Sequence, residues 1–224
     1  MLVVWVQTAG LAQDSPGVNG PPMLSSIEVV RRLSLAQARA GPKVDLTGVI
    51  TWLDVRNSGF VLADDASATW VEGPLPGGLR VGSRVRVVGR VVEGYFTVSV
   101  RGDSVELLGT GQLPEFRNVP PREQLQGQWD LFRVAATGSL FNRPNVDGQV
   151  GLVLLSDGVP IWLAGPDPAP QFPSGTVFAE AAGISSLGVR ERQIIDCRLL
   201  LDSWDQLKLI RTNLVAPAGV TKSW

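Results

Sequence analysis

Few side chains in this sequence could do chemistry. None of the 224 residues is His, which excludes an imidazole general base, a His-based triad and a phosphoacceptor His. The single Cys, Cys197, excludes an internal disulfide and a Cys-rich zinc site. It lies in IIDCRLLL between apolar neighbours and reads as a small buried hydrophobe rather than a reactive thiol. The carboxylates Asp54, Asp64, Asp65 and Asp157 leave one route to a metal ion or an acid–base pair. Adjacent Asp64 and Asp65 would point to opposite sides of a strand, which does not converge on one ion. Asp157-Gly158 reads as a tight hairpin turn, and DDASA as a second one. No catalytic constellation emerges. The expectation is a non-enzyme with no cofactor and no metal.

Binding chemistry is the alternative. RVGSRVRVVGR concentrates Arg80, Arg84, Arg86 and Arg90, with Arg84 and Arg86 on one strand face. Such a stripe can track phosphates, or it can be the solvated wall of a barrel. The net charge of −1 supplies no cationic excess, so nucleic acid is not the expected partner. Two aromatic residues stand out by repetition. FVLADDASATWVEGP (60–74) and LVLLSDGVPIWLAGP (152–166) align without a gap and share Val, Leu, Asp, Trp, Gly and Pro. Trp70 and Trp162 could stack on a base or sugar, but their recurrence beside the same Gly-Pro predicts a shared packing place in the core or at the barrel end.

The elements that must position these residues follow from pattern. The chain is 44% hydrophobic and 18% charged, with 25 Gly and 16 Pro spread between short Val-rich runs. That predicts an all-β protein rich in turns. Residues 1–12 hold an apolar run ending in Gly-Leu-Ala and read as the remnant of a secretory signal peptide, which implies a periplasmic or extracellular protein. The run is too short to span a bilayer, and nothing later is long enough. Residues 13–42 form a linker and short helices, with a capping box at Ser25–Glu28 and a second cap at Ser34. From Lys43 the period becomes alternating, placing Val44, Leu46, Gly48, Ile50 and Trp52 on one side of a strand, curved or bulged at Gly48.

Residues 43–109 then carry five strands, with a long connection after the third and a closing run, DSVELLG, after the fifth begins. After a linker and short helix at 110–129, the order restarts over 130–211, with Gly138 four residues after Val134 as Gly48 is after Val44. Residues 212–224 are a tail. The predicted fold is two tandem five-stranded OB-like Greek-key barrels, each preceded by short helices. In such a barrel the loops between strands one and two and between strands four and five flank the usual groove. Those loops are DVRNSG, FNRPNVDG, VVEGYF and SLGVRER, and they present Arg56, Asn57, Tyr95, Asn142, Arg143 and Arg190 as ligand-binding candidates. Asn and Gly are equally what turns require.

The series RRLSLAQA, KVDLTGVITWLD, GFVLADD, TWVEG, LRVGSRVRVVGRV and LLGTGQLPEFRNV resembles the tandem OB-like extracytoplasmic N-terminal segments of bacterial sensor histidine kinases, over about residues 27–210. The resemblance implies a non-catalytic sensory or protein-binding module of a two-component receptor, here without the kinase core: either a fragment, with further receptor domains downstream, or a free-standing exported relative. It names no ligand. The partner is therefore an unknown small ligand or protein. An oligonucleotide- or oligosaccharide-binding OB protein and a purely structural spacer stay open as alternatives.

Overall fold

The computed structural model describes residues 23–144, 150–172 and 176–213. The expected signal-peptide remnant, the first part of the linker, most of the NRPNVDG turn and nearly all of the tail lie outside them. Two single-turn helices open the described chain, α1 (Ile27–Arg31) and α2 (Leu35–Arg39). Ser26, rather than Ser25, caps α1 by accepting from the Val29 amide, so the expected Ser25–Glu28 box does not form. Glu28 instead bonds Arg32 one turn on. At α2 the box forms as expected, between Ser34 and Gln37.

Strands β1 (Lys43–Asp54), β2 (Gly59–Ala63), β3 (Ala68–Glu72), β4 (Ser83–Glu93) and β5 (Val98–Thr110) close into a barrel in the order β1-β2-β3-β5-β4. β3 and β5 run parallel; the other neighbours are antiparallel. A connector follows with β6 (Arg117–Asn118) and α3 (Pro121–Gln124). Strands β7 (Arg133–Pro144), β8 (Val150–Ser156), β9 (Val159–Ala164), β10 (Thr176–Arg190) and β11 (Gln193–Leu200) then repeat the order, β7-β8-β9-β11-β10, closed by the β10–β7 pairing. β9 and β11 are the parallel pair, as β3 and β5 are in the first unit. The chain is all-β, in two OB-like units.

The alternation of apolar residues fixes which side of each strand is buried. Val44, Leu46, Ile50, Phe60, Leu62, Val71, Val85 and Val87 fill the first interior. Val134, Leu140, Leu152, Leu154, Ile161, Cys197 and Leu199 fill the second. Gly48 and Gly138 allow the first strand of each unit to coil tightly against its neighbour. A Cβ at Gly48 would stand 2.7 Å from the Ala63 carbonyl oxygen, and one at Gly138 only 2.3 Å from that of Leu155.

Three expectations about strands change. The bulge in β1 lies between Ile50 and Trp52, not at Gly48. The extra residue, Thr51, reverses the parity, so Trp52 leaves the interior series and faces outward beside Val61. The fifth strand and the closing run DSVELLG are one continuous β5; a register shift opposite Val88/Gly89 accommodates Asp103 between them. In the second unit that strand is divided. β11 ends at Leu200, a 3-10 turn at Trp204–Gln206 intervenes, and β12 (Leu207–Asn213) pairs with the first half of β10. Trp204 occupies the gap, donating from Nε1 to the Pro166 carbonyl at 2.7 Å.

Candidate functional site: the outer walls of the two barrels

The six loop candidates are not brought together. Arg56 and Asn57 sit in the exposed β1–β2 turn, where Asn57 is committed to Asp54: its amide reaches Oδ1 at 3.1 Å and its Nδ2 reaches Oδ2 at 2.7 Å. Tyr95 stands at the β4–β5 hairpin tip, 92% exposed. That hairpin lies beside the Lys43 end of β1, since Lys43 faces Arg90, whereas the Arg56 turn follows the other end at Asp54. Asn142 and Arg143 lie within β7 rather than in a turn, because β7 runs on to Pro144. Asn142 donates to the Phe172 carbonyl at 3.1 Å. SLGVR likewise belongs to β10 and leaves Arg190 at its last residue. Two open clefts of about 290 and 470 Å³ flank β1, and none of the six lines either. Two of the four arginines of the stripe are paired: Arg86 holds Asp45 through two bonds of 2.7 and 2.6 Å, and Arg90 lies 3.7 Å from Asp103. It forms a solvated wall.

The repeated tryptophans lie on the outside of the barrels. Trp70 pairs with Val61 and its ring covers Gly59, where a Cβ would meet the ring at 2.2 Å. Trp162 pairs with Val153 and lies over Gly151, where a Cβ would meet it at 3.3 Å. Each is a cross-strand Trp-on-Gly platform, diagonal by two residues. The surrounding positions repeat too. Trp52 faces Val61 as Phe141 faces Val153; Ala63 faces Ala68 as Leu155 faces Pro160. The Thr51 bulge accounts for Trp52 being four residues after Gly48 while Phe141 is three after Gly138. Both units therefore carry an outward apolar wall built on the same five positions.

In the first unit this wall is filled. Trp52, Val61, Ala63, Ala68 and Trp70 pack with Leu131, Ile184 and Leu200 of the second unit in one apolar cluster. Leu131 holds a φ of 71°, which a branched side chain adopts only under constraint. Its amide bonds the Ser185 carbonyl at 2.7 Å while its side chain joins the cluster. Polar contacts frame the seam. Arg31 of α1 donates to the carbonyls of Ala68 (3.0 Å), Gly127 (3.3 Å) and Gln128 (3.2 Å). Arg117 donates to the Asp65 carbonyl at 2.6 Å. The Arg31 and Arg117 guanidinium groups each lie 5.1 Å from the Phe132 ring centre. Asp130, 8% exposed, accepts from the Leu187 amide at 3.1 Å. Burial pushes its carboxyl up to about 6, against the opposing pull of Arg31.

In the second unit the wall is open. Phe141 is 42% and Leu155 40% exposed, and Phe178 of the adjoining β10, which faces Ser139 of β7, is 40% exposed. Trp162 is half-buried between Val153 and Arg198, which pair with it from either side. Asp196 holds the Arg198 guanidinium with bonds of 2.9 and 3.0 Å. Contiguous apolar sheet surface of this kind marks an interaction site more readily than scattered apolar residues do. The positions that cover the first wall are not themselves repeated: Arg90 and Arg101 pair with each other where Ile184 and Leu200 do in the second unit.

The tryptophans, expected at a shared packing place in the core or at the barrel end, lie instead on the outer walls. Trp70 is in the cluster between the units and Trp162 is outside any such cluster; the wall itself was missed. The signal was FVLA, which is apolar at every position and so buried on both faces, as the structure finds for all of β2. Cys197 is buried as expected; its thiol is pushed up to about 12, chiefly by burial, and donates to Gln124 Oε1 at 3.2 Å. No helix among the described residues is long and apolar enough to cross a membrane.

No family model and no curated protein matches this chain. Among solved structures, the hypothetical protein ygiW from E. coli is similar over 39% of this chain and 91% of its own, with 16% identity and a TM-score of 0.30. The tetrameric p202 HIN2 is similar over 76% of this chain and 92% of its own, with 12% identity and a TM-score of 0.36. At those scores the assignment of the fold rests on the strand order of the two barrels.

Proposed function

We propose that this chain is a non-catalytic protein-contact module: a tandem OB scaffold in the extracytoplasmic sensory part of a bacterial signalling receptor. One observation carries the protein-contact reading. The five-position apolar wall occurs twice, and its first copy is covered by apolar protein side chains, Leu131, Ile184 and Leu200. A surface whose twin binds a β-barrel wall is suited to the same chemistry. Flat apolar sheet with few unpaired charges favours a protein over a phosphate backbone. The receptor context rests on the sequence resemblance.

The competing reading is an oligonucleotide or oligosaccharide stacked on Trp162 and Phe141. It is tested by following tryptophan fluorescence during titration with single-stranded DNA at low salt, and by a glycan array. The protein-contact reading expects no saturable signal in either. A salt-sensitive shift that disappears in Trp162→Ala and Arg143→Ala would replace it with the nucleic-acid reading. A glycan signal lost in Trp162→Ala would replace it with the sugar reading.

A further inference from the structure

We infer that the open wall of the second barrel is a self-association surface, on which a second copy of this chain docks face to face about a twofold axis. The inference rests on the protein-contact reading and names its partner. Phe141, Leu155, Pro160, Trp162 and Phe178 form one outward patch across β7, β8, β9 and β10, over the buried Val153. Along β7 the patch runs from Thr137 to Arg143, about 20 Å at the rise of a strand.

The net charges at its two ends differ in sign. Glu180 lies between Thr137 on β7 and Lys208 on β12, and Asp157 lies in the β8–β9 turn, so two carboxylates and one ammonium group lie toward one end. Arg143, exposed and facing Gly151, flanks the other. A twofold axis between the walls and perpendicular to β7 lays the Arg143 end of one copy on the Asp157–Glu180 end of the other. That contact is self-complementary and closes at two copies. Apolar meets apolar, and each end meets its opposite charge.

A head-to-tail repeat of the contact made within the chain is disfavoured by the same residues. The covering pair Ile184 and Leu200 is already used inside the molecule. The corresponding pair in the first barrel is Arg90 and Arg101. Placed over Trp162, those two arginines would be desolvated beside Arg143 and Arg198, a like-charge juxtaposition.

Sedimentation velocity of the full chain from about 1 to about 200 µM, a range that brackets ordinary reversible association, tests the inference. The expected result is a monomer–dimer equilibrium. Leu155→Arg, with an unchanged thermal unfolding profile as control, weakens dimerisation by roughly 100-fold, the size of effect for a charge buried at an interface centre. Arg143→Glu weakens it less, and adding Glu180→Arg restores most of the loss, which a merely structural role for either residue would not produce. A chain that stays monomeric throughout overturns the inference. So does a dimer indifferent to Leu155→Arg, or a charge swap that fails to restore. Monomeric behaviour would leave the protein-contact reading standing, because that reading fails only in the DNA and glycan titrations.

Discussion

Asp130→Asn should remove most of one component of the pH dependence of stability. Asp130 is buried at the seam and its carboxyl is raised from 3.8 to about 6. Because the folded value exceeds the unfolded one, the folded protein binds the extra proton between these values. Stability from this group is full below about pH 4 and is lost as pH rises through about 6. A difference of about two pH units corresponds to about 3 kcal/mol. Asn keeps a carbonyl to accept from the Leu187 amide, so the bond at 3.1 Å survives while the charge does not. Other groups behave differently: the Arg86 hydrogen bonds hold Asp45 below its ordinary value, so its contribution is lost as pH falls. That contribution is common to both proteins and cancels in a comparison. Urea unfolding of the wild type and Asp130→Asn, measured from about pH 4 to about pH 8, reads the difference directly. The wild type should lose about 3 kcal/mol relative to the variant across that range. A flat difference would refute the assignment of Asp130 as a buried, destabilised carboxylate at neutral pH.

Trp70→Ala should cost about 3 kcal/mol in urea unfolding, because it opens a cavity in the cluster between the barrels. Trp162→Ala, on the open wall, should cost about 1 kcal/mol or less, measured on the monomer. Equal losses at the two positions would contradict the filled and open assignments. Gly138→Ala should cost about 2 kcal/mol, since its methyl would stand 2.3 Å from the Leu155 carbonyl oxygen, whereas Gly77→Ala meets nothing within 4 Å and should be neutral in the same assay. Cys197, with its thiol pushed up to about 12, should stay unreactive towards an aromatic disulfide reagent in native buffer at about pH 8 and react at once in denaturant.

The doubled architecture was legible because spacing carries it. Glycines mid-way along the first strand of each unit, and the Asp157-Gly158 turn with φ of 49° and 78°, are local requirements that a sequence displays directly. Parity was harder. Trp52 continues an apolar series from Ile50 in sequence, and only the pairing with β2 exposes Thr51 as the extra residue. DSVELLG reads as a separate closing run, yet β4 pairs on either side of Gly102-Asp103 and holds β5 together across a register shift. Asn142, Arg143 and Arg190 read as loop residues because polar residues near Pro and Gly resemble turn material until partner strands claim them. The wall escaped notice because its five positions are scattered over three strands and adjoin only after the barrel closes.

The segment from Gly111 to Trp129 separates two domains in sequence, yet its carbonyls at Gly127 and Gln128 are bonded by Arg31 and its Arg117 is bonded to Asp65. Together with Trp70, packed in the cluster that holds Ile184 and Leu200, these contacts oppose a swivel between the barrels. A rotation applied at Trp162 is then expected to carry α1 and the first barrel with it, so that a small tilt at one end becomes a translation at the other.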